Sequence, residues 1–160
     1  MQISLAPPGF SGWPQLLRLL RDSFAYMDAR IDPPSSLTRM GVDELVAKAG
    51  DETLIIATDG DALVGCAFAA LRDDCVYVGK VAVAQHARGK GVARAMMAAA
   101  ESLARGHGRA FLELQTRVEL IENHATFRAL GFEKVAETAH PGYDRSTSIT
   151  MRKRLLGQGG

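Results

Sequence analysis

The sequence predicts a single α/β domain of the α+β kind, in which about four helices flank a mixed, mostly antiparallel sheet of six to seven strands. Its 160 residues are enough for one hydrophobic core. The apolar spacing changes between three-to-four and two along the chain, and short turn signals separate the segments. Residues 1–156 are therefore predicted to form one domain, and the glycine-rich residues 157–160 a flexible tail.

The helices and strands are predicted from hydrophobic spacing and turn residues. Apolar residues three and four apart indicate helices, whereas alternating or β-branched runs between turns indicate strands. Gly50 and Gly131 are placed to end two of the helices. The predicted elements are a strand at 3–6, helices at 13–27 and from near Leu37 to Ala49, strands at 53–58, 62–70 and 75–83, a helix at 91–105, a strand at 110–116, a helix at 123–130, and strands at 132–138 and 148–155.

Composition and charge exclude several classes of protein. A net charge of +1 does not favour a nucleic-acid partner, and no apolar run is long enough to cross a membrane. The N-terminus lacks a basic start followed by a long apolar stretch, so a cytoplasmic location is expected. Cys66 and Cys75 do not have metal-ligand spacing, which predicts free thiols and no metal site.

The segment from Val81 to Ala93 carries the clearest functional signal, because a buried strand, a glycine-rich turn and an amphipathic helix follow one another there. The first turn of a helix presents unpaired N–H groups and partial positive charge, which together bind phosphate. Gly89 and Gly91 allow a phosphate to approach the backbone. The nucleoside-triphosphate and dinucleotide loops fit poorly, since Gly91 stands where the first needs Ser or Thr and Arg94 where the second needs glycine.

Arg88, Gly91 and Ala93 match the pattern Arg/Gln-x-x-Gly-x-Gly/Ala, so this segment resembles the pyrophosphate loop of the GNAT superfamily of N-acetyltransferases. Residues 123–132, which end in Leu-Gly-Phe, resemble the closing helix of that family. The resemblance implies acetyl-CoA as cosubstrate, direct transfer to an amine, and a homodimer as a common association. It implies cofactor-binding roles for Val81, Ala82, Val83, Arg88, Gly89, Lys90, Gly91, Val92, Ala93, Asn123 and Phe127.

The resemblance also defines the proton transfers that catalysis requires. A backbone N–H near Val83 is expected to stabilise the oxygen of the tetrahedral intermediate. Glu113 is the predicted base for the amine, with Glu119, Glu122 and Tyr77 as further candidates. The alternative for each carboxylate is a solvated surface charge, and for Tyr77 an ordinary strand aromatic. Phe127 occupies the position of the tyrosine that usually protonates the departing thiolate, and Tyr143 is the predicted replacement.

Three alternatives stay open at the level of sequence. Asn123 either contacts the cofactor or caps the helix that follows it. Residues 26–40, which include Asp28, Arg30, Asp32, Ser35 and Ser36, either form the acceptor wall or are a turn before a helix. The chain as a whole could be a non-catalytic CoA-binding or regulatory module, or a structural protein that binds no CoA.

Overall fold

The computed structural model of the protein describes residues 1–35 and 39–155. Within these ranges a seven-stranded sheet has the strand order β1-β2-β3-β4-β5-β7-β6, in which β4 and β5 are parallel and every other neighbouring pair is antiparallel. The elements are β1 (Gln2–Leu5), α1 (Trp13–Asp28), α2 (Val42–Asp51), β2 (Thr53–Asp59), β3 (Ala62–Leu71), β4 (Cys75–Val83), a 3₁₀ turn (Gln85–Ala87), α3 (Val92–Gly106), β5 (Phe111–Arg117), α4 (Ile121–Ala129), β6 (Glu133–Thr138) and β7 (Ser148–Arg154).

The predicted fold class and element order are confirmed, whereas two helix starts and one helix end are wrong. Gly50, expected just past the end of α2, lies inside this helix, which runs to Asp51. Helix α2 begins at Val42 rather than near Leu37, which lies outside the described residues. Its start is fixed by Glu44, whose carboxylate accepts the backbone N–H of Gly41 at 2.9 Å. Helix α4 begins at Ile121, two residues before the predicted start. Residues 156–160 lie outside the described residues, so a flexible tail stays a prediction.

The two faces of the sheet carry separate hydrophobic clusters because side chains alternate along each strand. In β2, Leu54 and Ile56 pack with α1 and α2, whereas Ile55 and Ala57 pack with α3. Phe127 of α4 packs on the α3 side as well. Helices α1 and α3 therefore lie on opposite faces of the sheet, and both contact β4.

Helix α3 approaches the sheet closely at Gly65 of β3. A Cβ atom at this position would lie 2.8 Å from Cγ1 of Val92 and 3.2 Å from Cε of Met96. Both of these residues are buried on α3, and Val92 is its first residue. The absence of a side chain at Gly65 therefore sets how close the N-terminus of α3 lies to the sheet.

Candidate active site

Strands β4 and β5 stay paired over a short stretch and then separate. Their register runs from Cys75 opposite Phe111 to Tyr77 opposite Glu113. Strand β4 remains paired with β3 as far as Val83. Backbone groups of β4 that point toward β5 beyond Tyr77 therefore have no strand partner, although such groups normally need one. The gap suits an extended ligand that hydrogen-bonds to β4 as a strand would.

A bulge in β4 shapes this gap. Cys66 and Phe68 of β3 pair with Ala82 and Gly79, so β4 has one extra residue between these pairs. Lys80 lies in the bulge with a φ of 52°, a left-handed conformation that is uncommon for a residue with a side chain. Burial lowers the pKa of the Lys80 amine. The bulge places Lys80 on the wall of the gap.

A groove of about 590 Å³, here called the donor groove, extends from the end of β4 across the start of α3. Helix α1 contributes to its wall and also contacts the end of β4, because the Ser23 hydroxyl donates to the Val83 carbonyl at 3.3 Å. The donor groove is lined by Ser23, Phe24, Met27, Val81, Ala82, Val83, Ala87, Arg88, Gly89, Gly91, Val92, Ala93, Arg94, Glu122, Asn123, Thr126, Phe127, Ala129 and Leu130.

The floor of the donor groove is an uncapped helix start preceded by two glycines. Gly89 and Gly91 have φ values of 78° and 80°, and a Cβ atom at either would meet no atom within 4 Å. No side chain caps α3, and its first turn contains no acidic residue. The bond from the Ala95 N–H to the Gly91 carbonyl, at 3.0 Å, begins the helical ladder. The backbone N–H groups of residues 92–94, which come before this first bond, and the open space in front of them fit a pyrophosphate.

The residues predicted to bind the cofactor converge on this groove with one exception. Lys90 is exposed and does not belong to the groove wall. Lining the groove establishes proximity, so the individual binding roles stay predictions. The predicted residues that line it are Val81, Ala82, Val83, Arg88, Gly89, Gly91, Val92, Ala93, Asn123 and Phe127.

A second cavity, of about 220 Å³ and here called the acceptor cavity, occupies the gap between β4 and β5. It shares Phe24, Met27, Val81, Asn123 and Phe127 with the donor groove, so the two spaces meet at these residues. The acceptor cavity is lined by Phe24, Met27, Ile31, Ser35, Val78, Gly79, Lys80, Val81, Leu114, Gln115, Thr116, Arg117, Leu120, Asn123, Phe127, His140 and Ser148.

Residues 26–40 contribute to this cavity only in part. Met27, Ile31 and Ser35 line it, as expected for an acceptor wall. Ser36 lies outside the described residues. Asp28 and Arg30 do not line the cavity.

Glu113, the predicted base, lies away from both spaces. Its carboxylate is 13% exposed and accepts Nε of Arg152 at 2.8 Å and Nη1 of Arg72 at 3.2 Å. It stands at the last paired position of β4 and β5, before the gap opens. This position does not support the predicted role, because both carboxylate oxygens are occupied by guanidinium groups and neither faces the cavity. The sequence shows that Glu113 can act as a base, but it does not show that Arg72 and Arg152 bind its carboxylate.

Tyr143, the predicted acid, is engaged by the loop between α1 and α2. Its hydroxyl donates to the Asp32 carboxylate at 2.6 Å, and this bond raises the pKa of the hydroxyl. The Arg145 guanidinium lies 5.5 Å from the centre of its ring. Tyr143 does not line either space. A hydroxyl that already donates to a carboxylate is a poor proton donor, so its position does not support the acid role.

The further candidates also have structural partners. Glu122 lines the donor groove and pairs with Arg30, which lowers the pKa of Glu122 to about 2. Glu119 accepts the Asp32 backbone N–H at 3.3 Å. Tyr77 stacks under Arg72 at 4.1 Å and lies outside the acceptor cavity. None of these three groups is placed to take a proton in the acceptor cavity.

His140, which the sequence analysis did not single out, lines the acceptor cavity. Its Nδ1 is hydrogen-bonded to the Thr147 hydroxyl, and the same hydroxyl accepts its backbone N–H at 2.9 Å. These bonds fix the ring, and Nε2 has no hydrogen-bond partner among the described residues. Burial, together with the positive charge of Arg117, lowers the pKa of His140. A histidine with a lowered pKa is neutral at pH 7 and able to accept a proton.

Asn123 and Phe127 lie where the two spaces meet. Helix α4 has Leu120 at its N-cap, so the alternative in which Asn123 caps the helix is wrong. The Asn123 amide makes no side-chain hydrogen bond to a described residue and remains available to a ligand. Phe127 packs edge-on against Phe132 with 6.0 Å between ring centres, and it brings no hydroxyl to the junction.

No group of three or more metal-ligating side chains occurs among the described residues. Within the same ranges, no helix is both long and apolar enough to cross a membrane. Cys66 and Cys75 are buried free thiols, and burial raises the pKa of Cys66 to about 12.

Comparison with known proteins identifies the family of this chain. The sequence matches the Acetyltransferase (GNAT) family over residues 13–132, which is 120 of its 160 residues. The chain belongs to the GNAT acetyltransferase family. As a GNAT acetyltransferase it takes its acetyl group from acetyl-CoA, and the predicted family and cosubstrate are confirmed. A comparison with curated proteins finds no match.

Solved structures share the fold of this GNAT acetyltransferase. An aminoglycoside 6'-N-acetyltransferase complexed with coenzyme A is similar with a TM-score of 0.73 and 16% identity, over 100% of both chains. The ribosomal-protein-S18-alanine N-acetyltransferase from Escherichia coli gives a TM-score of 0.68 and 18% identity, over 99% of this chain and 97% of its own. The IAA acetyltransferase from Bacillus cereus ATCC 14579 gives a TM-score of 0.66 and 19% identity, over 96% of this chain and 99% of its own. At these identities the likeness establishes the fold.

Proposed function

We propose that the protein transfers the acetyl group of acetyl-CoA to an amine by direct attack while both substrates are bound. The observation that carries this proposal is the junction of the two spaces at Val81, Asn123 and Phe127. A donor in the groove and an acceptor in the cavity would meet there. Proximity of this kind supplies a large part of the rate enhancement of a two-substrate reaction.

The residues of the donor groove fit the pyrophosphate and pantetheine of the cosubstrate. Gly89, Gly91 and the N–H groups of the first turn of α3 would hold the pyrophosphate, with Arg88 on the same wall. The edge of β4 that faces β5 beyond Tyr77, where the pairing of the two strands has ended, would bind the amide groups of the arm. When bound, acetyl-CoA supplies a thioester carbon that accepts the amine. Neither cysteine is placed to act as a nucleophile, because Cys66 and Cys75 are buried away from both spaces.

His140 is the group that we propose takes the proton from the attacking amine, directly or through a water molecule. It lines the acceptor cavity, whereas Glu113 and Tyr143 do not. Its ring is fixed by Thr147, and its lowered pKa keeps the imidazole neutral at neutral pH. In the tautomer that donates from Nδ1 to the Thr147 hydroxyl, Nε2 is the nitrogen that accepts a proton. The nitrogen–carbon bond forms as the carbon–sulfur bond breaks, and the proton of the amine passes to Nε2.

Departure of the thiolate is proposed to need no acid from the protein. Phe127 has no proton to give, and the Tyr143 hydroxyl already donates to Asp32. A thiol has a pKa of about 8.5, so its anion is a tolerable leaving group near neutral pH. Solvent can protonate it afterwards.

Two assays test the proposal against the non-catalytic alternative. Acetyl-CoA and CoA are expected to raise the melting temperature, and an amine is expected to release free thiol from acetyl-CoA. Binding without thiol release from any amine of a broad panel would favour the non-catalytic CoA-binding module.

Gly91→Glu tests the cradle directly. The variant places a carboxylate where a phosphate is expected, at a position with open space before it, and it should abolish the thermal shift. Gly108→Glu is a matched control, because Gly108 has a similar φ of 71° and lies beyond the far end of α3. Normal acetyl-CoA binding by Gly91→Glu would show that the pyrophosphate is held elsewhere.

Two further expectations remain part of the proposal. A cytoplasmic location is supported by the two free thiols, which a reducing compartment preserves. A homodimer is suggested by the family resemblance alone, and analytical ultracentrifugation of the purified chain would test it.

A further inference from the structure

The charged side chains that line the acceptor cavity are cationic. Lys80 and Arg117 belong to its wall, and no aspartate or glutamate of the described residues does. The acidic groups near the same loops are engaged elsewhere. Arg145 contacts the carboxylates of Asp32 and Glu119 at 3.3 and 3.9 Å. The charged part of the cavity wall is therefore positive, although the carboxylates of Glu119 and Asp32 act on Arg117 from outside the wall.

Arg117 is the part of this wall that is built for an anion. Its Nη1 donates to the Pro33 carbonyl at 2.7 Å and its Nη2 to the Pro34 carbonyl at 3.3 Å. These bonds leave three of the five guanidinium N–H groups unused. Arg117 makes no ion pair with a carboxylate in residues 1–35 or 39–155. Burial lowers the pKa of Arg117, and this effect exceeds the opposing effect of the nearby Glu119 and Asp32 carboxylates.

Another part of the cavity wall is apolar. Met27, Ile31 and Leu120 are buried together, with Phe24 packed against them, and all four line the cavity. A small molecule in this space would find a passage to the donor groove, an apolar surface and a guanidinium. Guanidinium groups bind carboxylates through two parallel hydrogen bonds in one plane, which makes arginine suited to a ligand that carries a carboxylate.

We propose that the acceptor is a small amino acid with an apolar side chain, and that Arg117 binds its carboxylate. This inference rests on the proposed acetyl transfer and specifies its substrate. Arg117 takes no part in bond making. Its charge holds the acceptor so that the amine faces the junction with the donor groove.

The test compares α-amino acids with their amides, which have the same amine but no carboxylate. The panel is leucine, isoleucine, methionine and phenylalanine with the corresponding amides, and thiol release gives kcat/KM for each. We expect the wild-type enzyme to favour the acids by about 10- to 100-fold, the effect of a charged hydrogen-bonded contact. The amines of the amides are less basic, so a larger fraction of them is unprotonated and reactive at neutral pH. This difference by itself would favour the amides, so it cannot produce a preference for the acids. Acetylation of amides as efficient as that of the acids would overturn the inference and leave acetyl transfer intact.

The variant Arg117→Gln should reduce the acid-to-amide ratio of kcat/KM to about one. A purely structural defect, such as loss of the contacts to Pro33 and Pro34, would lower both values and leave their ratio unchanged. Arg117→Lys keeps the charge and should retain part of the ratio. Arg154→Gln, at the exposed end of β7, is the control and should behave like the wild type.

A binding measurement separates failure of this inference from failure of acetyl transfer. Calorimetry with the CoA-loaded protein should detect the acids and not the amides, and Arg117→Gln should abolish the signal. This readout needs no turnover, so it decides the role of Arg117 even if thiol release is absent. Absence of Arg117-dependent binding of any acid in the panel would refute the inference.

Discussion

Gly65→Ala is expected to disturb stability and cofactor binding together, because this residue sets the height of α3 over the sheet. The new Cβ would lie 2.8 Å from Cγ1 of Val92 and 3.2 Å from Cβ of Ala57. Carbon atoms at optimal separation are about 3.5–4.0 Å apart, so the helix start must move by roughly 0.7 Å or more. Overpacking of this size typically costs about 1–3 kcal/mol. For a domain of this length that corresponds to a fall in melting temperature of about 2–12 °C.

The displaced segment is also the pyrophosphate cradle, so a shift of Val92 should weaken binding of acetyl-CoA. Thermal unfolding of one aliquot and a titration of a second, folded aliquot with CoA measure both effects on the same preparation. Gly50→Ala is a matched control, since a Cβ at Gly50 in α2 meets no atom within 4 Å. This change should leave CoA binding unaltered and stabilise the protein by about 0.5–1 kcal/mol, through helix propensity.

A double-mutant cycle isolates the contact on which this prediction depends. Val92→Ala removes the Cγ1 atom that the new Cβ would meet. Residues in contact commonly show coupling energies of about 0.5–3 kcal/mol, so the double variant should lose less stability than the sum of the two single variants. Strict additivity, or a Gly65→Ala protein as stable as the wild type, would contradict the close approach of β3 and α3.

Four further predictions concern the titratable and aromatic groups in and near the site. The wild type is expected to show an ascending limb in its pH–rate profile below about pH 6.5, and His140→Gln should remove this limb and lower kcat/KM by about 10²-fold or more. A limb that survives in the variant would exclude His140 as the base. Because the folded pKa of His140 is lowered by burial and by Arg117, against an opposing effect of Glu119, the unfolded chain binds the proton more readily, so stability should fall as pH drops below about 6.5. Phe127→Tyr adds a hydroxyl at the junction of the donor groove and the acceptor cavity, and it should raise kcat only if protonation of the thiolate limits turnover, with burst kinetics as the check. A fall in KM for acetyl-CoA with kcat unchanged would instead indicate a new hydrogen bond to the cosubstrate. Glu113→Gln weakens the contacts with two arginines and should lower the melting temperature while kcat changes by less than about twofold; a large loss of kcat would restore Glu113 as a catalytic candidate.

The elements and the phosphate loop could be predicted because their determinants are close together in the sequence. Gly89 and Gly91 are predicted to leave the backbone open to a phosphate, and a Cβ atom at either position would meet no atom within 4 Å. The helix that follows begins one residue after Gly91. The start of α2 was missed because it depends on a bond between the Gly41 backbone and the Glu44 carboxylate, which no hydrophobic spacing reveals.

The sequence alone determined the fold class, the order of the elements and the pyrophosphate loop, since hydrophobic period, glycine placement and helix-start chemistry are local properties of the chain. Tertiary structure decided which side chains face the reaction. Glu113 meets Arg72 and Arg152 from other strands and turns, and Tyr143 meets Asp32 across 111 positions of sequence. The same long-range packing brings His140 to the acceptor cavity. Whether a carboxylate or an imidazole is free to take a proton depends on such distant partners, and spacing along the chain does not contain them.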